Sequence, residues 1–233
     1  MINSKRVLII MPAWNEADSI ADVITEVRGE LPDVDVLVVD DGSSDDTATR
    51  AQAAGAHVTR LPFNLGVGGA MRTGYRYALE HDYDVAIQVD ADGQHDPRYV
   101  PKLVDALDEA DIVIGARFAG VGDYTVRGPR RWAMRMLSFV ISRVAKTKLT
   151  DTTSGFRACN RSLIELFARW YPAEYLGDTV ETLVRIARQG HRISQIPTAM
   201  RVRMAGTPSQ SPIKATLYLA RAGIILLLAL IRV

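Results

Sequence analysis

The chain is poor in the residues on which stapled or metal-caged proteins depend. Of its 233 residues one is cysteine, Cys159, and four are histidine. A single thiol excludes an internal disulfide framework and a cysteine-cluster metal site, and it fits a reducing compartment. Membrane-length apolar runs are also missing. The most hydrophobic stretch, PIKATLYLARAGIILLLALIRV, is uninterrupted only over the ten residues from Ala222 to Ile231. That is about 15 Å of helix, against the roughly 30 Å that a span requires. Extending it back to Ile213 encloses Arg221, at about 2.5–3.5 kcal/mol if that charge is central. Attachment to the membrane surface is therefore expected over residues 211–233, with a packing helix or one completed by a partner as the alternatives. The opening MINSKRVLIIMPAWNE has too short an apolar run for a signal peptide, and export by that route is not expected.

Acidic residues are scarce in one half. Residues 115–233 carry 6 Asp/Glu against 19 Lys/Arg and residues 1–114 carry 21 against 9, so a net charge of +1 divides into about −12 and +13. An acidic half suits cations, and a basic half faces phosphates or an anionic membrane. No nucleic-acid motif accompanies the basic charge, and nucleic acid is not expected as a partner.

What is present is ample apolar content, 48%, enough for one sizeable domain or a core domain with an appendage. The runs RVLIIMPA, VDVLVVDD, AHVTRLP, YDVAIQVD and ADIVIGAR read as strands and alternate with helical segments. Continuous apolar strands in a β/α alternation predict an α/β fold with a mostly parallel sheet covered on both faces. Ligands of such sheets bind at the strand carboxyl ends, and the polar motifs stand there. In VLVVDDGSSDDTATRAQAAG, a cap and first-turn acids account for Asp45 and Asp46. They do not account for Asp40 and Asp41. In NLGVGGAMRTG, Gly66, Gly68 and Gly69 open a helix and would let backbone amides approach an anion. Residues 128 to 146 form a helical stripe of Trp132, Met136, Phe139, Val140 and Val144 among Arg130, Arg131, Arg135 and Arg143. This is either an interfacial helix on lipid or a core helix with a basic outer face.

The motifs MPAWNE, VVDDGSSDDT, NLGVGGAMRTG, VDADGQHDP, IGARF and TSGFR occur in this order. In this combination the sequence resembles the family 2 glycosyltransferases of GT-A fold, and within them the polyprenyl-phosphate (dolichol-phosphate) hexosyltransferases. The resemblance covers residues 6 to about 210, and residues 1–210 are taken as the catalytic domain. It implies inverting transfer of a hexose from a GDP- or UDP-sugar to a polyprenyl phosphate at the cytoplasmic membrane face, with Mg²⁺ or Mn²⁺. Asp90 and Asp92 match the family's DxD motif. Asp92 is implied as the principal metal ligand, Asp90 as a contact of the ribose or of the metal through water, and Gln94 as a residue near metal and diphosphate. His95 reads as a turn residue.

By the same resemblance Pro12, Ala13, Asn15 and Glu16 line the nucleotide pocket and Asp41 meets the base or ribose, while Asp40 supports the turn. Gly66 and Arg72 lie where the chain closes over the nucleotide. Arg117 faces the phosphate side of the site, and Ser154 and Arg157 belong to the acceptor turn. Arg201 and Arg203 are placed to bind the acceptor phosphate, although RVRMAGTPSQSP lacks the lysine usual after such a pair. Asp178 is either the general base for a hydroxyl acceptor or an acid that orients substrate. A cell-wall or surface glycan hydroxyl is the alternative acceptor, and a homo-oligomer or a membrane partner protein is left open.

Overall fold

The computed structural model describes residues 1–117, 129–173 and 177–201, without the side chains of 129–133 and 177–178. Arg203, the boundary at residue 210 and the apolar segment 211–233 lie outside the described residues.

Strands β1 (Val7–Ala13), β2 (Asp35–Asp40), β3 (His57–Arg60), β4 (Val85–Gln88) and β5 (Ile112–Ala116) form where the five apolar runs stand. Two short strands, β6 (Arg157–Asn160) and β7 (Ile193–Pro197), complete a sheet of order β3-β2-β1-β4-β6-β5-β7. Every pairing is parallel except those of β6, which runs antiparallel to β4 and β5.

Seven α-helices occur among the described residues: α1 (Ile20–Glu30), α2 (Thr47–Ala53), α3 (Val67–Glu80), α4 (Val100–Ala106), α5 (Pro129–Ala145), α6 (Arg161–Arg169) and α7 (Thr182–Arg188). A π-helical turn, Gly177–Glu181, leads into α7. Val7, Ile9 and Met11 of β1 pack beneath α1, α2 and α4, whereas Leu8 and Ile10 face α3, α6 and α7. Both faces are covered, so the strands need no polar alternation and read as unbroken apolar runs.

Two glycines set how closely α3 approaches its neighbours. A Cβ on Gly74 would stand 2.4 Å from Ile10 Cγ2, and one on Gly68 would stand 1.8 Å from the Pro172 carbonyl oxygen. Helix α5 has two different faces. Leu137 and Ile141 are buried, while Met136 and Phe139 are 42% and 60% exposed. Arg143 lies over the Phe139 ring at 5.2 Å.

Strand register collects the motifs at one edge. Ala13 pairs with Asp40, and Gln88 pairs with both Ile10 and Arg157. The carboxyl ends of β2, β1 and β4 therefore stand side by side. Because β6 is reversed, its amino end joins them, and Ile114 opposite Arg157 brings the end of β5 to the same place.

Candidate active site

The DxD turn follows β4 directly. Asp92 is 5% exposed and its Oδ1 accepts the Gln94 amide at 2.9 Å. The Asp90 side chain keeps 39% exposure, with Oδ1 accepting from Gln88 Nε2 at 3.0 Å. The Asp90 amide donates to His95 Nδ1 at 3.0 Å. His95 is buried and stacks on Phe156, with ring centroids 4.9 Å apart and planes 13° apart. It is more than a turn residue, because it ties the turn to the segment before β6. Gly155 presses on the same carboxylate: a Cβ there would stand 2.8 Å from Gln88 Nε2 and 3.3 Å from Asp90 Oδ2.

The loops after β1 and β2 are stitched together. Asn15 adopts a left-handed conformation (φ 55°), which asparagine tolerates well. Its amide donates to Ser43 Oγ and its Oδ1 accepts the Ser44 amide, both at 2.9 Å. The Glu16 amide donates to Thr47 Oγ1 at 2.9 Å, and Glu16 Oε2 accepts from Ser19 Oγ at 3.1 Å. Pro12 and Ala13 are the last two residues of β1 and run alongside Val39 and Asp40. Asp40 holds the turn by accepting the Ser43 amide at 3.0 Å. Its other oxygen is buried 3.0 Å from Arg60 Nε, an ionic approach in which the N–H is not aligned for a hydrogen bond.

Asp41 ties the end of β2 to the opening of α3. Its two oxygens accept the amides of Leu65 and Gly66 at 2.7 and 2.9 Å. Burial raises its pKa above the usual carboxylate range, against the pull of those two amides. The anion that the Gly66 amide reaches is thus a side chain of the protein itself, and Gly68 serves packing against Pro172. Arg72 Nη2 donates at 3.0 Å to the carbonyl of Arg169, at the end of α6.

Around the SGFR turn the described arginines hold the protein together. Arg117 forks onto Asp151 at 2.6 and 2.8 Å and reaches Thr153 Oγ1 at 2.8 Å. Burial alone would push Asp151 upward, but Arg117 outweighs it and holds the acid below the usual range. Arg157 is buried, with its guanidinium on the carbonyls of Ser154 (2.7 Å), Thr152 (2.9 Å) and Thr179 (3.4 Å). Ser154 Oγ accepts the Phe156 amide at 3.3 Å. Arg201 pairs with Glu26 at 2.5 Å and Asp96 at 3.0 Å, and its amide donates to the Gln94 carbonyl at 3.1 Å. The guanidinium of Arg201 thus stands in an ion-pair network with Glu26 and Asp96. The backbone of Asp178 lies in the π-helical turn, and its side chain is outside the described residues.

Sequence reasoning passed over Asp151, Gln88 and the role of His95. Asp151 carried a signal: an acid beside TSGFR in the half with only 6 Asp/Glu. Gln88 bonds Asp90 only two residues on, whereas the stack of His95 on Phe156 depends on the reversal of β6.

Asp90, Asp92 and Gln94 offer hard oxygen donors at one strand end. Among the described residues no three His, Cys, Asp or Glu side chains form a closed metal cage. An open set of this kind fits a hard cation whose remaining ligands are water and substrate phosphates, as is usual for Mg²⁺.

A doubly covered, mostly parallel sheet with paired carboxylates at a central strand end is the GT-A architecture of nucleotide-sugar transferases. The family model described as glycosyl transferase family 2 matches residues 8–167, and the chain belongs to that family. It is 35% identical to undecaprenyl-phosphate mannosyltransferase of Micrococcus luteus over 88% of each chain. It is 34% identical to polyprenol monophosphomannose synthase of Mycolicibacterium smegmatis, over 70% of this chain and 64% of that one. Glucosyl-3-phosphoglycerate synthase of Mycobacterium tuberculosis, crystallised with Mg²⁺ and UDP, shares the fold with a TM-score of 0.68 at 23% identity, over 97% of this chain and 79% of that chain. The protein is a glycosyltransferase.

Proposed function

We infer that the protein moves a hexose from a GDP- or UDP-sugar to a polyprenyl phosphate at the cytoplasmic face of the membrane, with inversion at the anomeric carbon. The observation that carries the reading is the contact between the DxD turn and the turn before β6. Gly155 lies against Asp90, so donor and acceptor sides meet at one point. Similarity to two polyprenyl-linked mannose transferases supports the choice of acceptor.

Asp92 is the principal ligand for Mg²⁺ or Mn²⁺, with Asp90 and Gln94 beside it. When bound, the cation takes up charge that develops on the departing diphosphate. Pro12, Ala13, Asn15, Glu16 and Gly66 frame the nucleotide. Arg117, Ser154 and Arg157 give the acceptor turn its shape, and Arg203 meets the acceptor phosphate. A phosphate monoester has its second pKa near 6, so it arrives as an anion and needs no general base. Asp178 then orients the acceptor. The exposed face of α5, with Met136 and Phe139 beside Arg135 and Arg143, suits an anionic lipid surface.

The test is product analysis with purified protein, Mn²⁺ or Mg²⁺, a panel of GDP- and UDP-sugars and a short polyprenyl phosphate. Metal-dependent glycosylated lipid, lost in Asp92→Ala, is the expected result. Transfer only to a glycan hydroxyl, with Asp178→Asn inactive, would replace the lipid acceptor.

A further inference from the structure

The carboxylate of Asp90 is approached from three directions by groups with no assigned role. Gln88 Nε2 donates to one oxygen at 3.0 Å. The backbone of Gly155 closes one side, since a Cβ would stand 3.3 and 3.4 Å from the two oxygens. His95 supplies the third direction, with Nε2 3.7 Å from Asp90 Oδ2. The ring is fixed at its other nitrogen, because Nδ1 accepts the Asp90 amide at 3.0 Å. With Nδ1 accepting, the proton of a neutral ring sits on Nε2, which at 3.7 Å lies beside Oδ2 but beyond direct hydrogen-bond distance. Phe156 stacks on the ring, and the backbone of His95 bridges to Met200. The imidazole thus joins the DxD turn to the acceptor turn, and the His95 backbone ties both to the segment after β7.

We propose that His95 and Gln88 are positioning residues that fix the Asp90 backbone and carboxylate for the metal-bound nucleotide. This rests on the metal-dependent transferase reading. Groups that orient a metal-site carboxylate from behind change affinity about 10- to 100-fold when removed. The two features of His95 can be separated. His95→Asn keeps an acceptor close to the Nδ1 position and loses the stack, whereas His95→Phe keeps the stack and loses both nitrogens.

The experiment is calorimetric titration of native protein, His95→Asn and His95→Phe with GDP and with UDP in the presence of Mn²⁺, after thermal melting has shown each variant to be folded. Native protein binds one of the nucleotides. His95→Phe binds it at least about tenfold more weakly, and His95→Asn stays within about threefold of native. Asparagine no better than phenylalanine, or phenylalanine equal to native, overturns the positioning role and leaves the transferase reading intact. Failure of the native protein to bind either nucleotide with Mn²⁺ sinks both. If a His95 variant does not fold, Gln88→Met decides in its place. It removes the donor to Asp90 Oδ1, and native-like binding by it overturns the proposal.

Discussion

Gly155 is held to a single side-chain hydrogen by its surroundings. Gly155→Ala would drive a methyl toward Gln88 Nε2, 2.8 Å away, and toward the Asp90 carboxylate. A displacement of about 1 Å at a reacting centre costs up to about 10²-fold. Turnover by Gly155→Ala should fall on that scale while the melting temperature moves little, and parallel assays and melts would check this. Asp92→Ala should abolish metal-dependent nucleotide binding, read by the same titration as above. Asp151 governs stability instead. Asp151→Asn leaves Arg117 without its buried counter-ion, a change worth about 3–5 kcal/mol in denaturant unfolding. The sign with pH follows from its lowered folded pKa. The contribution is full above the unfolded pKa of about 4 and is lost as pH falls through the folded value. Acid unfolding of Asp151→Asn should accordingly show a shallower dependence below about pH 4. Cys159 is inert at neutral pH, since burial pushes its thiol up to about 12.

Among the elements, those with long apolar runs were legible in the sequence and the short ones were not. The five predicted strands appear in place: β1, β2, β4 and β5 are buried almost throughout, while β3 is a short, partly exposed edge strand. β6, RACN, and β7, ISQIP, carry polar residues over four and five positions, and partner strands rather than their own pattern recruit them. The carboxylate pair and the SGFR turn could be read from motif order. Their contact could not, because it needs β6 to run against β4. The glycine cluster was legible as a helix opening, but its use was not: nothing local announces that Pro172, about a hundred residues on, lies against Gly68. Helix α3 offers a test of that packing. Gly74→Ala should destabilise by about 1–3 kcal/mol through overpacking against Ile10. Ile10→Val should recover part of this in a double-mutant cycle, whereas additive losses would show that the two do not share the contact.

Along the sequence charge is polarised, acidic through residue 114 and basic after it. No helix among the described residues is long and apolar enough to cross a membrane; with the proposed lipid acceptor, the exposed Met136 and Phe139 of α5 are the side chains to test against an anionic surface. Replacing Met136 and Phe139 together by glutamate should weaken binding to phosphatidylglycerol vesicles by about tenfold or more. Nucleotide binding should be unchanged, and cosedimentation beside titration separates the two. The antiparallel strand β6 also has a consequence in time. Strands β1 to β5 and the DxD turn are synthesised before residue 117, yet β6 must enter the sheet between β4 and β5 after both have left the ribosome. Pairings this distant along the chain form late. The strand that joins β4 to β5 also delivers Gly155 to Asp90, so the loops after β1 and β2 and the DxD turn are all synthesised before the glycine that lies against that turn.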